Sequence, residues 1–176
     1  MIRTALSFLT VIALAACSNV LEGGGITESD VDGIQPGNAN GIIFSGSWTL
    51  TTEVTESTCG GLVGILPGVG DKDEEDITFA QTGGELTRIF DDLGDFYSFR
   101  GSVNQDGTFV YGQYYDLTEG LPASFRYIEI VEGKVQLQNG AAGAMEATAR
   151  RRYQSGVLDC SANVTITGKR GNLIGE

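Results

Sequence analysis

The chain has 176 residues, a formal charge of −12 and no histidine. So acidic a protein repels nucleic acid and anionic lipid surfaces alike, which excludes both as direct electrostatic partners. Without histidine there is no Ser-His-Asp or Cys-His nucleophile system, and the usual nitrogen ligand for zinc or copper is missing.

Met1-Ile2-Arg3-Thr4 carries one positive charge and leads into an apolar run from Ala5 to Ala16, broken only by Ser7 and Thr10. A helix needs roughly 20 apolar residues to cross a bilayer, so this run is too short to span one. It has the length of the apolar region of a cleaved signal peptide. The run ends in Leu14-Ala15-Ala16-Cys17, which resembles a bacterial lipobox. The resemblance implies cleavage before Cys17, acylation of its sulfur and new amino group, and attachment to a membrane of the bacterial cell envelope. Several acyl chains, at about 0.8 kcal/mol per buried methylene, hold a protein far more firmly than one chain does. Ser18, rather than Asp, follows the cysteine. For lipoproteins of this kind that implies onward transfer to the outer membrane. Loss of residues 1–16 leaves 160 residues, enough for one domain, and removes Arg3, so ten basic residues face 23 acidic ones, a balance of −13.

From residue 17 to 45 the chain is glycine-rich and acidic, with Gly23-Gly24-Gly25, Gly33, Gly37 and Gly41, and it reads as a flexible tether behind the lipidated cysteine. Such a tether would reach roughly 25–30 Å on average.

At Gly46 the pattern changes to period two. Trp48, Leu50, Thr52 and Val54 take one face, while Ser47, Thr49, Thr51, Glu53 and Thr55 take the other. Further strands are expected at 77–81, 85–90, 97–104, 108–115, 125–132, 134–138, 143–153 and 162–169. Gly83-Gly84, Asp106-Gly107, Glu132-Gly133 and Asn139-Gly140 supply turn signals between them. No stretch holds a helical period over three turns, and there is no internal repeat. Eight or nine short strands joined by tight turns imply an all-β fold over residues 46–170, an up-and-down antiparallel β-barrel of about eight strands, with 171–176 as a tail. Closure removes the two edges that such a meander would otherwise expose.

With Cys17 lipidated, Cys59 and Cys160 remain, and two cysteines in an oxidising compartment pair. The closed loop spans 101 residues. For a loop of that size the chain-entropy model gives about 4.7 kcal/mol. Cys59 follows the first strand and Cys160 precedes the last, ends that are neighbours in a closed eight-stranded meander. Two free buried thiols are the alternative.

Gly46-Ser47-Trp48 opens the first strand and Arg170 closes the last. This pairing resembles the lipocalins and the wider calycin group. The resemblance implies that Trp48 plugs the narrow end of an eight-stranded barrel and that Arg170 packs across its indole, a cation–π contact of about 0.5–2 kcal/mol. Both roles are structural. The other motifs of that group are not matched, and an avidin-like barrel is the alternative.

The remaining constellations each carry two readings. The aliphatic, glycine-rich stretch Gly60 to Gly70 is either an apolar lid or a loop packed on the barrel wall; it lacks the Gly-Lys-Ser/Thr ending of a phosphate loop. The acids of Asp71 to Asp76 and of Asp91 to Asp95 lack EF-hand spacing and read as solvated turns. Tyr97, Phe99, Phe109, Tyr111, Phe125, Tyr127 and Met145 line the barrel interior, either around a small apolar ligand or as a filled core. In Arg150-Arg151-Arg152 alternate members face water, and Glu129 is the one carboxylate on an interior face. No acid, base and nucleophile set is present, so the chain is not read as an enzyme, and neither metal nor cofactor is expected. Two functions are left: a membrane-anchored lipoprotein binding a small apolar ligand, or an anchored structural or interaction protein with a filled core.

Overall fold

In the computed structural model the described residues are 25–60, 66–89, 97–116, 125–138, 140–156 and 158–171. The expected signal peptide, Cys17, residues 61–65 of the aliphatic stretch, the acids at 91–95 and residues 172–176 of the tail lie outside them.

Eight strands form the domain: β1 (Gly46–Ser57), β2 (Lys72–Thr82), β3 (Glu85–Ile89), β4 (Tyr97–Val103), β5 (Thr108–Asp116), β6 (Phe125–Gln138), β7 (Ala141–Ser155) and β8 (Leu158–Arg170). Each pairs antiparallel with the next, and β1 pairs with β8 from Trp48 opposite Arg170 to Ser57 opposite Ala162. The molecule is a closed up-and-down barrel in strand order one to eight. Period two decides what faces inward. Trp48, Leu50, Thr52 and Val54 on β1, and Cys160, Ala162, Val164 and Ile166 on β8, are all buried. A disulfide joins Cys59 to Cys160, with Cα atoms 4.9 Å apart, at the end where β1 finishes and β8 begins.

Two local expectations fail for physical reasons. Glu132-Gly133 is not a turn, because β6 runs unbroken through it from Phe125 to Gln138. A Cβ at Gly133 would stand 2.5 Å from that of Ala147 and 2.4 Å from the Glu146 carbonyl oxygen, so this glycine marks a close approach of β6 to β7. The acids after Asp71 are likewise not a loop. They form the first half of β2, laid against β1 from Asp76 opposite Thr49 to Lys72 opposite Glu53. Alternation sends Asp73 and Glu75 to one side and Glu74 and Asp76 to the other, so the acids do not converge.

The largest correction concerns the tether. Residues 25–45 are bound to the barrel along their length. The short helix α1 (Glu28–Asp32) starts at Thr27, whose backbone N–H and hydroxyl both donate to Asp30, each at 2.7 Å. Five residues do not hold a helix alone; packing does. Ile26 and Val31 are buried against Ile128 and Ile130 on the outside of β6, beside Val110 and Tyr114 of β5. Arg126 reaches Glu28 at 3.0 Å and Asp116 at 2.9 Å. Arg152 grips Asp159 and also donates to the Ile26 carbonyl at 3.2 Å. The arm then descends the wall, bridges Gly37 to Gly84, and turns under the barrel, where Ala39, Ile42 and Phe44 are buried. The apolar residues that pack this arm, Ile26, Val31, Ile42 and Phe44, are irregularly spaced among glycines and acids, so no period marks them in the sequence.

Candidate functional site

The barrel interior divides into two halves. The base half is closed by the turned-in arm. Phe44 enters it and meets Trp48, Phe79 and Phe109 at ring separations of 5.2, 5.2 and 5.1 Å. Gln81 fixes this plug, accepting from the Phe44 N–H at 2.7 Å and donating to the Ile42 and Gly83 carbonyls at 2.8 and 2.9 Å. The Trp48 indole donates to the Phe44 carbonyl at 3.0 Å. Arg170 sits directly across from Trp48 in the ladder, and its guanidinium donates to the carbonyl of Ser45 and, at 3.5 Å, to those of Ile43 and Ala142. Gly46 has φ +130°, a conformation that side chains avoid, and a Cβ there would lie 2.9 Å from Arg170 Nε. The glycine of the Gly-x-Trp sequence therefore makes room for the arginine. Phe109, Tyr111 and Met145, read in the sequence as lining the interior around either a ligand or a filled core, lie in this packed half, at 3%, 2% and 2% exposure. Small side chains on the opposite wall, Ala147, Ala149 and Ala162, lie in the same apolar cluster as these rings.

The other half faces the disulfide end. One ladder row runs through Tyr97, Tyr115, Tyr127, Tyr153 and Cys160 on five successive strands. Their rings follow one another at 5.2, 5.0 and 5.2 Å, and Phe125 leans on Tyr115 at 6.3 Å. Tyr97, Phe99, Tyr115 and Phe125 are only half-buried. Burial holds the phenols of Tyr97, Tyr115, Tyr127 and Tyr153 above the ordinary tyrosine range, so at neutral pH they are hydroxyl donors and acceptors rather than phenolates.

The next row toward the base is polar: Phe99, Gln113, Glu129, Arg151 and Ala162. Glu129, at 2% exposure, accepts from Arg151 Nε and from Gln113 Nε2, each at 2.6 Å. Gln113 accepts in turn from Arg88 at 3.1 Å, and Arg88 reaches Glu75 at 3.3 Å. Five side chains from five strands thus form one chain with two carboxylates and two guanidiniums. Burial works to lower the Arg151 pKa, but Glu129 more than offsets it and leaves that pKa raised, which keeps the cation. Both carboxylate oxygens of Glu129 are engaged, so the arrangement orients and neutralises charge. Glu129 is recognisable in the sequence as an inward-facing carboxylate; its pairing with Gln113 and Arg151 depends on strand register.

The structure therefore places Tyr97, Phe99, Phe125 and Tyr127 together at the disulfide end with Tyr115, Tyr153 and the polar chain, and places Phe109, Tyr111 and Met145 in the packed base half. Of the arginine triplet, Arg151 faces inward, while Arg150 and Arg152 face outward to Glu132 and Asp159. Cys17 lies outside the described residues. Among the described residues no group of acidic or cysteine side chains is arranged to hold a metal ion. No protein-family description, no curated protein and no solved structure matches the chain.

Proposed function

We propose that this chain is a lipoprotein of a bacterial envelope, anchored in the outer membrane through acyl chains on Cys17, whose barrel binds one small, largely apolar molecule at the tyrosine-walled end. The address rests on Leu14-Ala15-Ala16-Cys17 and the short apolar run before it. The observation that carries the binding reading is the contrast between the two ends of the interior. Phe44, Trp48 and Phe79 are at or below 1% exposure, whereas Tyr97, Phe99, Tyr115 and Phe125 stand half-buried around the other end. Half-buried rings facing into a barrel are the surface an apolar ligand covers. The site is shallow, because the polar row around Glu129 floors it.

The second reading is an anchored protein with a filled core that works through its outer surface. Ring-on-ring packing through the base and the fully engaged Glu129 favour it. Titration of the full chain with the neutral apolar fluorophore N-phenyl-1-naphthylamine separates the two. Saturable binding that weakens about tenfold, roughly 1.4 kcal/mol, in Tyr97→Ala and Tyr115→Ala supports the binding site. Absence of saturable binding to the unaltered protein supports the filled core.

A further inference from the structure

The arm that links the barrel to Cys17 enters the fold at one particular end. Glu28 is held by Arg126, the second residue of β6, which also holds Asp116, the last residue of β5. A Cβ on Gly25 would lie 3.1 Å from the Arg152 guanidinium, which is bonded to Asp159, the second residue of β8. All of these positions belong to the end that carries the disulfide and the tyrosine row. From there the arm runs down the outer wall and reaches the base only at Gly37, opposite Gly84.

Length then decides orientation. Gly25 is the eighth residue after Cys17. At full extension eight residues span at most about 28 Å, and as a flexible chain roughly 15 Å. A strand of the length of β8, tilted as barrel strands are, rises about 30 Å from one end to the other. To bring the base to the bilayer, the linking chain would have to run the whole height of the wall at full stretch.

We infer that the anchor presents the barrel mouth-first: the tyrosine-walled end faces the bilayer that holds Cys17, and the partner of that end is the lipid surface itself. This rests on the lipoprotein reading. Val69, 67% exposed in the turn before β2, is the apolar side chain that this orientation turns toward the lipid. Ile43, 50% exposed beneath the base, is turned away from it. The rim also carries Asp71, Asp73 and Glu74, all exposed, so attraction to anionic headgroups does not orient the domain. The tether does. A binding site at this end opens where membrane-derived apolar molecules are most concentrated.

The test uses the full chain, purified with its native acylation and reconstituted in phosphatidylcholine vesicles whose acyl chains carry bromine. Trp48 is the only tryptophan and is buried at the base, so it serves as a constant reference. Two exposed reporters are added separately, Val69→Trp and Ile43→Trp. An interfacial side chain sits within roughly 5–10 Å of the acyl boundary, so Val69→Trp emission is expected to be quenched about twofold more than Ile43→Trp emission. Equal quenching, or stronger quenching of Ile43→Trp, in a chain whose intact mass includes acyl groups overturns the orientation and leaves the anchor standing. A chain whose mass shows no acylation at Cys17 overturns both.

Discussion

Removing the cation from the Glu129–Arg151 pair leaves a carboxylate at 2% exposure with only neutral donors, the Gln113 amide and the Tyr127 hydroxyl. Breaking a buried pair on one side costs about 3–5 kcal/mol, far more than the pair contributes over an apolar replacement. Arg151→Met should therefore lower the urea midpoint sharply, and Glu129→Leu combined with Arg151→Met should recover most of the loss. Equal destabilisation by the single and double changes would show that the two side chains do not act as a unit. These partners were legible in part. Gln113 lies two residues from Tyr111 and Tyr115, and Arg151 two from Ala149 and Tyr153, so period two alone sends both inward. What sequence could not supply was the register that sets Gln113, Glu129 and Arg151 side by side across three strands. The same burial sets an alkaline limit. The phenols of Tyr97, Tyr111, Tyr115, Tyr127 and Tyr153 are all raised by burial, five of the six tyrosines. Below about pH 10 both folded and unfolded chains hold these protons, so the stabilisation is intact; above it the unfolded chain releases them first and stability falls as pH rises. Ultraviolet titration should show their phenolate absorbance appearing together with unfolding. Their ionisation at the ordinary pKa in a barrel that remains folded would contradict the buried row.

Among the elements, the β1–β8 seam closes the barrel and is doubly held, by a ladder from Trp48 to Ser57 and by the Cys59–Cys160 disulfide. Because the ladder closes the barrel without it, reduction should lower stability by about 2–5 kcal/mol while the far-ultraviolet spectrum stays that of the native barrel. Loss of the barrel signal on reduction would mean that the ladder cannot hold the seam. The seam was readable because both cysteines and the Trp48 and Arg170 strands carry clean period two and fixed ends. The N-terminal arm was not, because glycine and acid content suggested freedom while a handful of apolar side chains, Ile26, Val31, Ile42 and Phe44, did the packing. Strand β6 reads as two strands in the sequence for a related reason: a glycine required by close packing looks, in sequence, like a glycine required by a turn.

At the scale of the whole molecule, the described residues show a closed base, a half-buried aromatic row at the other end, and an arm that enters at that end. The closed all-β meander was accessible from alternation and turn spacing alone, and the unequal burial of the two halves of the interior was not, since a packed core and a ligand-lined wall have the same composition. The proposed address rests on residues 14–17 and the proposed site on Tyr97, Phe99, Tyr115 and Phe125, and one native mass spectrum of the protein extracted from the membranes of its own host tests both. The expected spectrum shows a chain beginning at Cys17 with added acyl mass, and a second set of peaks carrying a small apolar molecule that is lost on collisional activation. A chain that begins elsewhere, or an acylated chain that appears in a single bare form under the gentlest conditions, would contradict it.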